Sequence, residues 1–229
     1  GFGEPAFGGA APSTGSAPVP AAGSLGGTGG TAWGDGIGRG LGGGRPLRVT
    51  AWIPWPGPGV TAGTSAERAM AGAVFGQAAL ARTAEEFLGA LSGADAAIAS
   101  IYGNAGSGLS RGVYLTEKMN LGAAELIGLD LPDKLVIAAS WSARVAAEAE
   151  PFALPRIAHA RGAGHIIGGA YPLPDAPPHP TSRLLTQLYP ALLGADPATA
   201  LWLAQADALS AGAAPHTWAG LTHSTVRFP

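Results

Sequence analysis

The chain has 229 residues, of which 47% are hydrophobic and 12% charged, with 37 glycines, 20 prolines and no cysteine. Its length fits one domain with a tail. The formal net charge of −2, with 13 basic residues scattered singly, offers no footprint for a phosphate backbone, so nucleic acid is not expected as a partner. Without cysteine the sequence excludes a disulfide framework, a thiolate metal site and a thiol nucleophile. The apolar stretches at 135–139 and 165–171 are strand-sized, far below the roughly 20 residues of a membrane-spanning helix. The chain opens Gly1-Phe2-Gly3-Glu4 with neither a basic nor an apolar leader region, so a soluble, cytoplasmic protein is expected.

Residues 1–46 form a Gly/Pro-rich, low-complexity segment that buries too little apolar area to offset its ordering entropy, with Phe7 and Trp33 as local anchors. The run 34–40 has glycines at phosphate-loop spacing, but no strand precedes it and no Lys-Ser or Lys-Thr follows, so it reads as linker. From Leu47 the texture changes. Residues 47–53 read as a strand ended by the turn-rich run 54–59. Thr64 to Glu67 and Thr83 to Glu86 each have the spacing of a capping box, the first before Met70, Val74 and Phe75, the second before Phe87, Leu88 and Leu91.

Residues 96–102 and 135–139 are apolar on both faces, which places them at the centre of a sheet covered on both sides. Residues 120–127 read as helical, with Asn120 or Gly122 near the cap, and 148–162 as a helix closed by Arg161-Gly162. A further buried strand spans 165–171, followed by a Pro-rich loop at 172–180. Leu184, Leu185, Leu188 and Leu192 then mark a helix that Pro190 is expected to kink or shorten. Asp196-Pro197 supplies an N-cap and a first-turn proline for a helix through Leu201, Ala204 and Leu209, and 218–225 is the last strand. Strands alternating with helices predict an α/β/α sandwich around a mostly parallel sheet, with ligands bound at the carboxyl ends of its strands.

The order of segments from 47 to 225 resembles the CHAT domain, a bacterial branch of the caspase-like (clan CD) cysteine peptidases. The matching pieces are Leu121-Gly122-Ala123-Ala124-Glu125-Leu126 with Leu129-Asp130-Leu131-Pro132, the strand from Leu135 to Ser140 with Trp141-Ser142-Ala143-Arg144, and Gly164 to Tyr171 followed by Pro172-Leu173-Pro174-Asp175. Ala200 to Gln205 and His216-Thr217-Trp218-Ala219-Gly220 complete the series. The resemblance implies a caspase-like three-layer fold over 47–229. The family places a Leu-Pro-rich strand region ahead of this domain, which 17–23 echoes only faintly.

In the family the strand matching 96–102 ends in His-Gly and the strand matching 135–139 ends in Cys. Here those positions hold Tyr102, followed by the expected Gly103, and Ser140. A phenol is almost fully protonated near pH 7 and so a poor base, and a serine hydroxyl needs an adjacent base to act. Losing one member of such a unit costs on the order of 10⁶ in turnover. A one-residue shift of register moves the second position to Trp141.

The remaining candidates give no replacement centre. His165 starts a strand away from the carboxyl-end loops, His159 sits in a helix, and His179 is the histidine that topology places on the active-site edge. Five scattered histidines form no metal motif, and neither metal nor cofactor is expected. Asn104, Ser107 and Trp141 surround the former centre. Asp175 is either a turn-forming residue or, as the resemblance implies, an acidic group bordering the cleft that receives a basic side chain. The expectation is a non-catalytic pseudopeptidase that binds a protein or peptide, with helical-repeat or nucleotide-binding switch domains as the partners the resemblance implies in bacterial signalling or defence. The alternatives are a CHAT-family cysteine-type endopeptidase in altered or inactivated form, with Ser140 standing where the cysteine would act, and a plain structural domain.

Overall fold

A computed structural model of the chain describes residues 46–54, 62–106, 110–145, 151–174 and 179–226. The expectations for 1–45, including the loop-like run 34–40, the echo at 17–23 and the anchors Phe7 and Trp33, fall outside the described residues, as do most of the turn at 54–59, Ser107 and Asp175.

The central sheet has five strands in the order β1 (Val49–Trp52), β2 (Ala96–Ser100), β6 (Lys134–Ala138), β7 (His165–Gly169) and β8 (Leu221–Thr225). The first four are parallel and β8 runs antiparallel to β7. The parallel strands are rich in Ala, Ile, Leu and Val and buried along nearly their whole length, as strands covered on both faces must be. Alternate residues serve two separate cores. Ala97, Ala99, Leu135, Ile137 and Ile166 face a layer containing α2 (Ala84–Ala90), α3 (Ala123–Ile127) and α4 (Leu154–Ala160). Ala51, Ile98, Val136, Ala138 and Ile167 face α1 (Ala62–Phe75), α5 (Pro180–Gly194) and α6 (Pro197–Ser210). The result is the expected three-layer α/β/α sandwich. Each fully buried Leu or Phe, such as Leu185, Leu188 and Phe87, contributes about 1.5–3 kcal/mol of burial.

Local signals held where a cap geometry exists. The Thr83 side chain accepts the Glu86 N–H at the start of α2, while the Glu86 carboxylate reaches the Arg82 N–H rather than the cap residue. Asp196 caps α6 by accepting from the N–H groups of Ala198 and Thr199. Gly162 closes the turn after α4 at φ +109°, where a side chain would be strained.

Several expectations are corrected: the helix read over 148–162 begins only at Leu154, the strand read over 165–171 ends at Gly169 and the last strand begins at Leu221 rather than 218. Thr64 lies inside the first turn of α1, which already begins at Ala62, so Thr64 to Glu67 is not its cap. The Glu67 carboxylate turns inward instead, where the Tyr189 and Ser100 hydroxyls both donate to it. The strand at 96–102 ends at Ser100, because Tyr102–Gly103 leaves the main sheet as β3 of a separate antiparallel sheet with β4 (Gly112–Thr116) and β5 (Met119–Gly122). Residues 120–127 are therefore half strand, with Gly122 as the N-cap of α3, whose Glu125 carboxylate accepts the Gly122 N–H. Pro190 does not shorten α5, which runs on to Gly194.

Candidate functional site

β2 and β6 lie side by side in parallel register, Ser100 opposite Ala138, so their carboxyl ends deliver Tyr102 and Ser140 to the same edge of the sheet. The Ile101 N–H donates to the Ala138 carbonyl and carries the pairing one step past the strands. At the next step the chains nearly touch, since a Cβ on Gly103 would collide with the Ser140 carbonyl oxygen. That contact is the local physical reason for glycine after Tyr102.

Tyr102 is 62% exposed and opposite Tyr114 across the β3–β4 pair. Ser140 is half-buried in the turn after β6, where its Oγ accepts the Leu173 N–H at 2.9 Å. Trp141 follows with φ +66°, a left-handed conformation that is an outlier for a bulky residue. Its N–H donates to the Tyr171 carbonyl and its carbonyl accepts the Arg144 N–H. The Arg144 guanidinium lies 4.8 Å from the Trp141 ring centroid, within cation–π range.

The turn is braced from two further directions. Ser142 Oγ donates to the Ile137 carbonyl and accepts the Gly169 N–H, and the Ala143 N–H donates to the Gly169 carbonyl. A Cβ on Gly168 would come within 2.8 Å of Ser142 Oγ, and one on Gly169 would strike the Ala139 carbonyl, so the Gly168-Gly169 pair lets the turn rest on β7. From the other side Arg111, only 1% exposed, donates to the carbonyls of Gly106 and Arg144. Asn104 accepts the N–H groups of Gly106 and Gly112 and donates to the Tyr114 hydroxyl, which makes it a loop brace.

The sequence placed Tyr102, Gly103, Ser140 and Trp141 at one edge, and the structure brings these four together. Arg111 and Arg144 were missed: a lone arginine ahead of a strand and another after a turn have no spacing that distinguishes them from surface charges. The histidines are distributed as expected for two of them. His159 Nδ1 is bonded to the Ala163 carbonyl and its Nε2 to Ser224 Oγ, and His165 Nδ1 lies 3.1 Å from His223 Nε2. His159 and His165 lie at the amino end of β7, opposite Ser140, and the His223 ring reaches His165 from its position across from Ile167. His179 immediately precedes α5 with φ +55°, in the left-handed region. Among the described residues no group of three or more His, Cys, Asp or Glu side chains could hold a metal ion, and no helix is long and apolar enough to cross a membrane.

The chain matches no family model and no curated protein. The geometry of the carboxyl edge is therefore the ground for a functional reading.

Proposed function

We propose that this chain is a degenerate caspase-like module of the CHAT type that binds a protein or peptide at the carboxyl edge of its sheet without cleaving it. The observation that carries the reading is the Ser140 turn: it is held from β7, from Arg111 and from the Leu173 N–H, yet the position where the resemblance puts the family's base, one residue before the Gly103 that packs on Ser140, is held by a tyrosine. Hydrogen bonds and close glycine packing fix the backbone of this edge. The exposed rings of Tyr102 and Tyr171, at 62% and 60%, and the stacked Trp141–Arg144 pair offer amphipathic contact area of the type enriched where peptides bind. A helical-repeat or nucleotide-binding switch domain in a bacterial signalling or defence system is the partner class that the resemblance suggests.

The test is a fluorescent peptide library incubated with the intact protein, with binding and cleavage read in the same samples. Saturable binding without product is expected, weakened about tenfold or more by Tyr102→Ala combined with Tyr171→Ala, since aromatic anchors dominate such interfaces. The control Trp202→Ala, on the exposed face of α6, should leave binding unchanged. Turnover by the native protein, or binding indifferent to both tyrosines, overturns the proposal.

A further inference from the structure

Three of the five histidines in the chain converge on β8, the strand at one end of the main sheet. On the face covered by α6, His165 of β7 and His223 of β8 stack with ring centroids 5.4 Å apart and planes 25° apart, with His165 Nδ1 and His223 Nε2 at 3.1 Å. On the other face His159 of α4 holds Ser224. Two imidazoles can share one hydrogen bond only while at least one is neutral, because one nitrogen must accept.

We propose that the His165–His223 pair is an acid-sensitive latch on the distal half of β8, residues 223–225, which is held while an imidazole of the pair is neutral and released when both are protonated. The doubly protonated pair has no acceptor and places two positive charges in stacked rings, at the end of an edge strand. The rest of β8 is anchored independently: Leu221 is buried, and Gln205 donates to the carbonyls of Trp218 and Leu221. Release therefore stops short of the core.

The charged groups around the pair leave this balance in place. Asp196, at the start of α6, favours the protonated His223, whereas His159 on α4 opposes it. Lys134 of β6 is the register partner of His165, on the same face, and adds positive charge. Asp133 accepts the His165 N–H through its backbone carbonyl, and its carboxylate lies against Gly164. Burial first, and then the charge of His165, lower the affinity of His223 for a proton below that of a free imidazole. The sign follows. With a folded-state value below the unfolded value of about 6.5, the stabilisation is complete above that pH and is lost as the pH falls below it.

The experiment is amide hydrogen exchange of the intact protein at pH 7.5 and 5.5, corrected for intrinsic exchange, with His223→Gln and His165→Gln alongside. In the native protein, peptides covering 222–226 should lose about tenfold or more of their protection at pH 5.5 while those covering 96–100 hold theirs. Both variants, which keep a hydrogen-bonding side chain but cannot be protonated, should lose that pH dependence. The exposed control His216→Gln should retain it. Undiminished protection of the native strand at pH 5.5, or the same loss in the Gln variants, overturns the latch. Imidazole proton NMR of the native protein gives an independent reading: the latch requires two coupled titrations that His223→Gln collapses to one, and two independent titrations near the free value refute it.

Discussion

Glu67 and Tyr189 form a buried acid pair whose protonation the fold depends on. Glu67 is 1% exposed and Tyr189 fully buried, and the phenol donates to the carboxylate at 2.5 Å while Ser100 donates to the same group. Burial, reinforced by the neighbouring carboxylate, pushes the Tyr189 phenol well above its ordinary range. An acid whose folded value is raised contributes stability that is complete below its unfolded value, about 10, and lost as the pH rises beyond it. Stability should therefore decline from about pH 10 upward in the native protein, and Tyr189→Phe should remove this Tyr189-dependent part of the decline. At neutral pH the same substitution should cost about 1–3 kcal/mol, because it withdraws a donor from a buried carboxylate. Urea unfolding at pH 7 and pH 10.5 measures both effects. No local pattern hints at the pair: 122 residues separate the partners, and the Thr64 to Glu67 spacing points to a local cap instead.

At the level of elements, legibility followed how much of the structure is local. The Thr83 cap was visible because its donor is three residues away, and Thr83→Ala should destabilise the protein by about 1 kcal/mol in thermal or urea unfolding, with Thr83→Ser restoring most of the loss. β2, β6 and β7 were visible because apolar residues on both faces leave few alternatives to a covered strand. The β3–β5 sheet was not. β3 is two residues long, and β4 carries a register irregularity between Tyr114 and Thr116. A period-two signal was nonetheless present: buried Val113 and Leu115 alternate with exposed Tyr114 and Thr116 ahead of the polar turn Glu117-Lys118. The helical reading of 120–127 concealed it, since Gly122 both ends β5 and caps α3.

Across the molecule, the site was only half legible. Positions 102, 103, 140 and 141 were singled out by the resemblance to the CHAT domain, and the general placement of ligands at the strand ends of an α/β sheet agrees with that edge. The braces that fix them, Arg111, Ser142 and Gly168-Gly169, act through packing and backbone carbonyls that no linear pattern records. If this frame is a peptidase scaffold without its reacting groups, Tyr102→His combined with Ser140→Cys should become labelled by a thiol-reactive peptide electrophile. Ser140→Cys alone should react about tenfold more slowly or less, lacking a neighbouring base to form the thiolate. Equal labelling of the two would mean that residue 102 does not face the reacting position.

The two helical layers also differ in when synthesis can complete them. The layer of α2, α3 and α4 comes from residues interleaved with the strands it covers, whereas the opposite layer sets α1 against α5 and α6, more than a hundred residues later. As the chain leaves the ribosome, Ala51, Ile98 and Val136 can reach their strands before the leucines of α5 emerge to cover them. For that interval one side of a parallel sheet has only α1 to cover it and is otherwise open to water, the form of nascent intermediate that aggregates or recruits a chaperone. Slowing translation after β7 has emerged and before α5 has would prolong that exposure, while slowing it before β2 emerges would not.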